Sequence, residues 1–414
     1  MVGELFVKFT RQKIFNPFKQ MTTTTKTRIQ SIDLFRGIVI VIMGLDHSRD
    51  FFHYAAFSDD PLNLATTTPF LYFTRWITNL CAPTFVFLAG TSAWLQSQRK
   101  TTKELSKFLI TRGLWLVLVD LTVMSLGILG DIHFGVFVLQ TIWSIGISMA
   151  ILGLMIWLPF NAILISGLLI VFGHNALDYI EKNHTGQFPL WWSMLHVRGI
   201  HPLWGNHQLF VLYPFLSWSG LMMLGYCCGK IFTKFETVKR NKILLWLGIS
   251  LLIFFTVLRV TNSYGNPFQW SHQKNTLYTF FSFIDVHKYP PSLLYMCVTI
   301  GPGLIFLALI KNTQNRFAKI MIVYGRVPLF FYILHFYVLH TLDIILFLTR
   351  GHSFTEGMNG VKGLPFKFII PGEGYRLWVV YAIWIGVVVA MYPLCKWYDH
   401  YKTNHPEKKW LSYL

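Results

Sequence analysis

The sequence predicts an all-α fold, a polytopic integral membrane helical bundle of about ten transmembrane helices, and three observations lead there. Composition is the first. Of 414 residues, 53% are hydrophobic and 13% charged, with a mean hydropathy of +0.46, too little polar surface to enclose a water-soluble core of this size. The second is the recurrence, from one end to the other, of apolar runs of about twenty residues, the length that crosses the hydrocarbon of a bilayer. The third is an uneven sharing of Lys and Arg between alternate loops.

Taken in order, spans are expected near 31–52, 69–96, 107–128, 134–158, 160–177, 208–232, 242–260, 292–310, 319–348 and 376–398. The fifth is short. The ninth is interrupted at Gly325-Arg326-Val327-Pro328, where proline removes a backbone donor, so a broken helix is expected. With the N-terminus inside, the inner segments hold roughly 23 Lys and Arg against roughly 10 in the longer outer loops, which puts both termini in the cytoplasm. Residues 1–30 then form a basic cytoplasmic leader, 31–398 a single transmembrane domain and 399–414 a basic cytoplasmic tail. The leader lacks the compact apolar stretch and cleavage site of a secretory signal, so the first span reads as an uncleaved anchor. Met21 offers a second start.

The 36 Lys and Arg against 18 Asp and Glu give a net charge of +18. In a soluble protein this would suggest nucleic acid, but the basic residues form no aromatic-interleaved stretch on which bases stack, so no nucleic-acid partner is expected. Short basic loops meeting membrane lipid explain them better. Cys81, Cys227, Cys228, Cys297 and Cys395 are odd in number and lie in or beside apolar runs, which argues against a disulfide framework. No metal-ligand spacing appears, and no metal is expected.

The first span carries the most chemical information. Ionisable groups are costly in hydrocarbon, yet Asp33, Arg36, His47 and Asp50 all fall within one arc of about 100° on this helix, so that face must look into the bundle or a wet cavity. Arg36 and His47 are eleven residues apart, nearly eclipsed and about 16 Å apart along the axis. Ser31 and Asp33 suit a helix start, and that ordinary role is preferred for Asp33. Lipid-headgroup contact for Arg36 and an interfacial place for His47 and Asp50 are the bland alternatives, but the shared face of Arg36 and His47 favours function. Asp50 lies three residues beyond His47, where it could orient the imidazole, whereas Asp46 points elsewhere and is expected to pair with another helix. In the second span Arg75 and Asn79 share a face one turn apart, near Thr84 and the Cys81-Ala82-Pro83 kink, suiting either a polar substrate or a helix-helix hydrogen bond. In the ninth, Arg326 lies near the inner surface and His335 near the membrane middle, with Tyr332 and His340 on the same run. The loop residues Trp191, Trp192, His196, His201 and His207 suit a sugar, and an interfacial aromatic belt explains the two Trp equally well.

These segments carry a resemblance. RIQSIDLFRGIVIVIMGLDHSRDFF, TTTPFLYFTRWITNLCAPTFVFLAGTSAWL, YPFLSWSGLMMLGY, KYPPSLLY and YGRVPLFFYILHFYVLH resemble the bacterial relatives of heparan-α-glucosaminide N-acetyltransferase, within the transmembrane acyltransferases that include the acyltransferase-3 families. The resemblance touches nearly every span from 28 to about 345. It implies transfer of an acyl group, expected to be acetyl from cytoplasmic acetyl-CoA, to a carbohydrate-type hydroxyl or amine on the far side of what would be a bacterial inner membrane. His47 matches the family's catalytic His, and Arg36 its donor-side Arg. Such chemistry needs a base for the acceptor's proton and positive charge for the CoA phosphates, for which Arg326 is a second candidate. The lysosomal enzyme differs by an Asn at the position matching His47 and a second His farther along. Here the nearest is His53, so both histidines stand as candidates with His47 preferred. Arg75, Asn79 and His335 are the expected acceptor contacts, and a homo-oligomer is left open. The alternative from another class is a transporter using the same Arg, His and Asp face for an anion or protons. A third is a silent lipid- or glycan-binding relative that keeps the fold.

Overall fold

The computed structural model describes residues 29–310, 313–408 and 410–411. The expectations for the leader, including Met21, and for Lys409 and residues 412–414 of the tail lie outside these. The chain folds into α1 (Gln30–Phe52), α2 (Pro69–Ile77), α3 (Cys81–Ser97), α4 (Thr102–Val119), α5 (Ser125–Leu129), β1 (Val136–Leu139), α6 (Thr141–Met155), α7 (Phe160–Gly173), α8 (Leu177–Lys182) and α9 (Leu190–Leu195). There follow β2 (Gly199–Pro202), β3 (Gln208–Val211), α10 (Leu216–Lys234), α11 (Thr237–Thr261), α12 (Thr276–Ile284), α13 (Leu293–Leu309), α14 (Arg316–Arg326), α15 (Pro328–Thr349), α16 (Phe354–Asn359) and α17 (Leu377–Asn404).

Among the described residues, five helical stretches are long and apolar enough to cross a membrane: Thr102–Leu129, Phe160–Lys182, Thr237–Thr261, Pro328–Thr349 and Leu377–Asn404. Thr141–Met155 and Leu293–Leu309 are shorter apolar helices. The direction in which their side chains face settles the solvent. On α11, Trp246 is 66% and Ile253 60% exposed, and on α17 Val389 is 65% exposed. Rows of bare apolar side chains on the outside of a packed bundle are what lipid, and not water, tolerates. The chain is a membrane protein.

Two expected spans open differently from the expectation. Residues 136–139 and 208–211 extend the apolar runs of α6 and α10 but fold as strands, giving with β2 a three-stranded sheet in the order β1-β3-β2. β1 pairs with β3 in parallel, Val136 against Gln208, and β2 pairs with β3 antiparallel. Apolar content cannot separate the end of a span from a short β-branched strand, so the all-helical expectation is corrected to a mainly helical fold with a small sheet. The fifth span is longer than expected, because α7 continues through a 3-10 turn at His174–Ala176 into α8. The break in the ninth is present: α14 ends at Arg326 and α15 starts at Pro328, with Val327 between them at φ −127°, ψ 47°. α17 runs on to Asn404, beyond the expected end at 398.

α1 sits at the centre, against α3, α13, α14, α15 and α17. Its closest partner is α14, and the reason is two glycines. A Cβ on Gly37 would collide with the Met321 carbonyl oxygen, and one on Gly325 with the Asp33 carbonyl oxygen. Small residues let the two backbones touch, as is common where lipid supplies no hydrophobic drive between helices. The second span breaks one turn before its proline, through the 3-10 turn Thr78–Leu80. Pro83 has no N–H to give the Asn79 carbonyl, and the Tyr295 hydroxyl of α13 donates to that oxygen instead at 2.9 Å.

Candidate functional site

The face of α1 predicted to be polar lines one continuous cavity of about 1240 Å³. Arg36 and Arg326 line it towards one end, with Ser92, Arg99, Lys100, Arg112 and Lys402. Asp46, His47, Asp50, Arg75, Lys288 and Tyr289 line it towards the other. Ordinary small-molecule pockets hold roughly 300–1,000 Å³. This one has room for a large donor together with an acceptor.

At the Arg36 end, the Gly37–Gly325 contact brings two arginines and an acid together. Asp33 ion-pairs with Arg36 at 3.6 Å and with Arg326 at 4.0 Å, and Arg326 reaches Asp399 of α17 at 3.3 Å. Arg36 Nη2 donates to Ser92 Oγ at 2.9 Å. Asp33 does lie in the first turn of α1, but its capping role is corrected: Ile29 occupies the capping position, and the buried Asp33 carboxylate links the two guanidinium groups. Burial leaves an anion no other stable arrangement, because an unpaired charge away from water is costly.

At the other end, His47 meets His335. His47 Nδ1 lies 2.7 Å from His335 Nε2, and His335 Nδ1 lies 3.1 Å from the Phe331 carbonyl oxygen. A carbonyl only accepts, so His335 Nδ1 carries the proton and its Nε2 is bare. For a neutral pair, His47 Nδ1 then donates to His335, which leaves His47 Nε2 with a free lone pair on a side chain that lines the cavity. The ring of Phe336, 4.3 Å away centroid to centroid, packs on the His47 imidazole and holds its plane. His335 is fully buried.

The other predicted residues divide. Asp50 lines the cavity, but its carboxylate accepts from Arg49 Nη2 at 2.6 Å, and His335 takes the place beside His47 that the spacing had offered to Asp50. Asp46 pairs with Arg75 of α2 at 3.5 Å, the cross-helix contact expected of it, and with Arg49 at 3.1 Å. Arg75 also donates to Thr78 and to the Asn79 side chain, so Asn79 holds Arg75 while not lining the cavity itself. His53 ends α1, bridges to Tyr375 and lines a separate cavity of about 370 Å³. Of the predicted loop residues, Trp192 and His196 cluster with Glu181 of α8 away from the cavity, while His207 bonds to the Phe134 carbonyl beside the sheet. All five cysteines are buried and free.

Sequence reasoning missed Ser92, Asp120, Tyr213 and Lys288. The buried Asp120 accepts from the Gln140 amide at 2.7 Å from within a π-helical turn at Asp120–Met124 and so fixes the start of α6, where Gln140 and Thr141 line the cavity. Tyr213 and Tyr289 approach hydroxyl to hydroxyl at 3.5 Å. Three of them had a signal in the segments that carry the resemblance: Lys288 heads KYPPSLLY, Tyr213 heads YPFLSWSGLMMLGY, and Ser92 lies near the end of TTTPFLYFTRWITNLCAPTFVFLAGTSAWL. Beside Lys288, burial lowers the His287 imidazole to about 4.

Residues 28–259 match the model of a family described as heparan-alpha-glucosaminide N-acetyltransferase, catalytic. Comparison with curated proteins returns no match.

Proposed function

Since the chain belongs to the heparan-alpha-glucosaminide N-acetyltransferase catalytic family, a family of acetyltransferases, we propose that it moves an acetyl group from acetyl-CoA to a carbohydrate-type amine or hydroxyl through the α1 cavity. The single observation that carries this reading is that Arg36 and His47, at opposite ends of one polar helix face, line the same cavity. On this reading about ten spans cross a membrane, the bacterial inner membrane, with both termini cytoplasmic and residues 31–398 as the transferring domain. The donor then enters at the cationic Arg36 end and the acceptor from the far side. The family match does not favour a transporter.

The cations that line the donor end suit the CoA phosphates, with Arg36 and Arg326 nearest the helix contact and Arg99, Lys100, Arg112 and Lys402 around them. The acceptor nitrogen or oxygen attacks the thioester carbonyl, and its proton passes to His47 Nε2. The carbon–sulfur bond breaks, CoA leaves as thiolate, and the imidazolium returns the proton to it. An acyl-His47 intermediate would use the same nitrogen. Membrane lipid surrounds the site, and neither route calls on a metal.

The test is release of free CoA from labelled acetyl-CoA by the purified protein, with a panel of amino sugars and sugar alcohols. His47→Ala should abolish transfer while the protein remains inserted and folded. Undiminished turnover in that variant would end the reading.

A further inference from the structure

We propose that Asp178, Glu181 and His196 bind one divalent first-row metal ion at a site apart from the transfer cavity, none of whose walls they form. Asp178 and Glu181 are three apart on α8 and so share a face, and His196 caps the end of α9 opposite them. One ligand atom from each lies within 4.8 Å of the others. Neighbouring donors on a single ion with bonds of ~2.0–2.2 Å lie roughly 3.0 to 4.4 Å apart. The widest separation in the trio therefore closes by a few tenths of an ångström, while the 2.6 Å His196–Glu181 hydrogen bond opens and gives up its proton to admit the ion.

Three features separate this trio from an ordinary polar contact. First, every donor group is held by a second partner, the arrangement that orients metal ligands. Trp192 Nε1 donates to Glu181 Oε1 at 3.0 Å, Asn175 Nδ2 donates to Asp178 Oδ2 at 2.8 Å, and His196 Nε2 faces His174 Nδ1 at 3.0 Å. Second, the His196 ring is fully buried with Nδ1 2.6 Å from Glu181, so the imidazole edge that would carry the ion is already turned towards the carboxylates. Third, the charge is incomplete. A His–Glu hydrogen bond accounts for His196 and Glu181 but leaves Asp178 beside a second carboxylate, and among the described residues no Lys or Arg ion-pairs with either. A cation removes that repulsion. One imidazole and two carboxylates suit zinc or manganese, whereas calcium prefers six to eight oxygens. A single His followed fifteen residues after a Glu matches no familiar ligand spacing, which is why the sequence suggested no metal.

Such an ion would fasten α8 to α9. Asn175, which holds Asp178, also accepts the Leu293 amide at the start of α13, and the chain after α9 returns through β2 and β3 to Leu212 and Tyr213 on the cavity wall. The ion would thus pin the base of that wall.

The test uses the full-length, detergent-purified protein, stripped with a chelator and titrated with zinc chloride, with manganese and calcium as parallel arms. One equivalent of zinc should bind and raise the unfolding temperature. Asp178→Asn and Glu181→Gln, at half-buried positions, should each weaken binding at least tenfold, and Glu373→Gln at the distant His352 cluster should leave it unchanged. No zinc binding by the unaltered protein at millimolar concentration, an unchanged affinity in either variant, or tighter binding of calcium than of zinc would each overturn the site. None of these readouts depends on acetyl transfer.

Discussion

The two ends of the cavity are built differently. At the Arg36 end, two arginines are held through ion pairs of 3.3 to 4.0 Å to the buried Asp33 and to Asp399. At the His47 end, an imidazole is fixed by a buried histidine, a backbone carbonyl and an aromatic ring. A cationic mouth needs only charge of the right sign, because phosphates are bound by long-range attraction. A base needs its lone pair at a defined atom, and that demands a defined tautomer and a fixed ring. The contrast teaches which end should bind and which should react.

The largest effect should come from breaking the reacting end. His47→Ala removes the proposed base, and a loss of roughly 10²–10⁴-fold in kcat is expected, measured as CoA release. His335→Asn sharpens the point, since it keeps a polar group but loses the bond that fixes His47. We expect kcat to fall roughly 10–100-fold with both KM values near their original level and a displaced pH profile. An unchanged pH profile would reduce His335 to packing. At the binding end, Arg36→Gln removes a charged contact of roughly 1.5–3 kcal/mol, so the KM for acetyl-CoA should rise roughly 10- to 100-fold while kcat stays close to its original value. A fall in kcat alone would erase the distinction between the two ends. His53→Ala should change turnover by less than about threefold, because the side chain lies outside the cavity.

The smallest effect lies outside the bundle. Hydrogen bonds to Glu373 and Glu356 raise the His352 imidazole above its ordinary value. A group raised in the folded state contributes fully below the ordinary value of about 6.5 and loses that contribution as pH climbs through the raised one. Hydrogen exchange in residues 350–375, corrected for intrinsic rate, should therefore quicken as pH rises past neutrality, and His352→Gln should flatten that response.

Much of the Arg36 end was legible in sequence, because intramembrane charge is conspicuous and helical spacing alone puts Arg36 and His47 on one face. Asp46 was legible in part: its pairing with another helix was expected, but it lines the same cavity as His47 where the spacing had turned it away. His335 was legible as a site residue but not in its role. The tautomer relay joins residues 288 positions apart and depends on how α1 meets α15, which no local pattern encodes. His53 shows the converse. It is only six residues from His47, yet α1 ends at Phe52 and the backbone turns it into a different cavity.

The sequence by itself determined that this chain lives in lipid, that its α1 helix carries a polar face, and that the helix near residue 326 breaks at Gly325–Pro328. These follow from local costs: apolar surface in water, charge in hydrocarbon, and a missing amide at proline. Only the tertiary structure decided that two glycines bring Asp33 between two arginines, that a histidine and not Asp50 holds His47, and that a small sheet replaces the start of two expected spans. Those outcomes turn on which surfaces fit together at close range, and a hydrogen bond or a Cβ-free contact between distant segments has no energy until the fold has formed it.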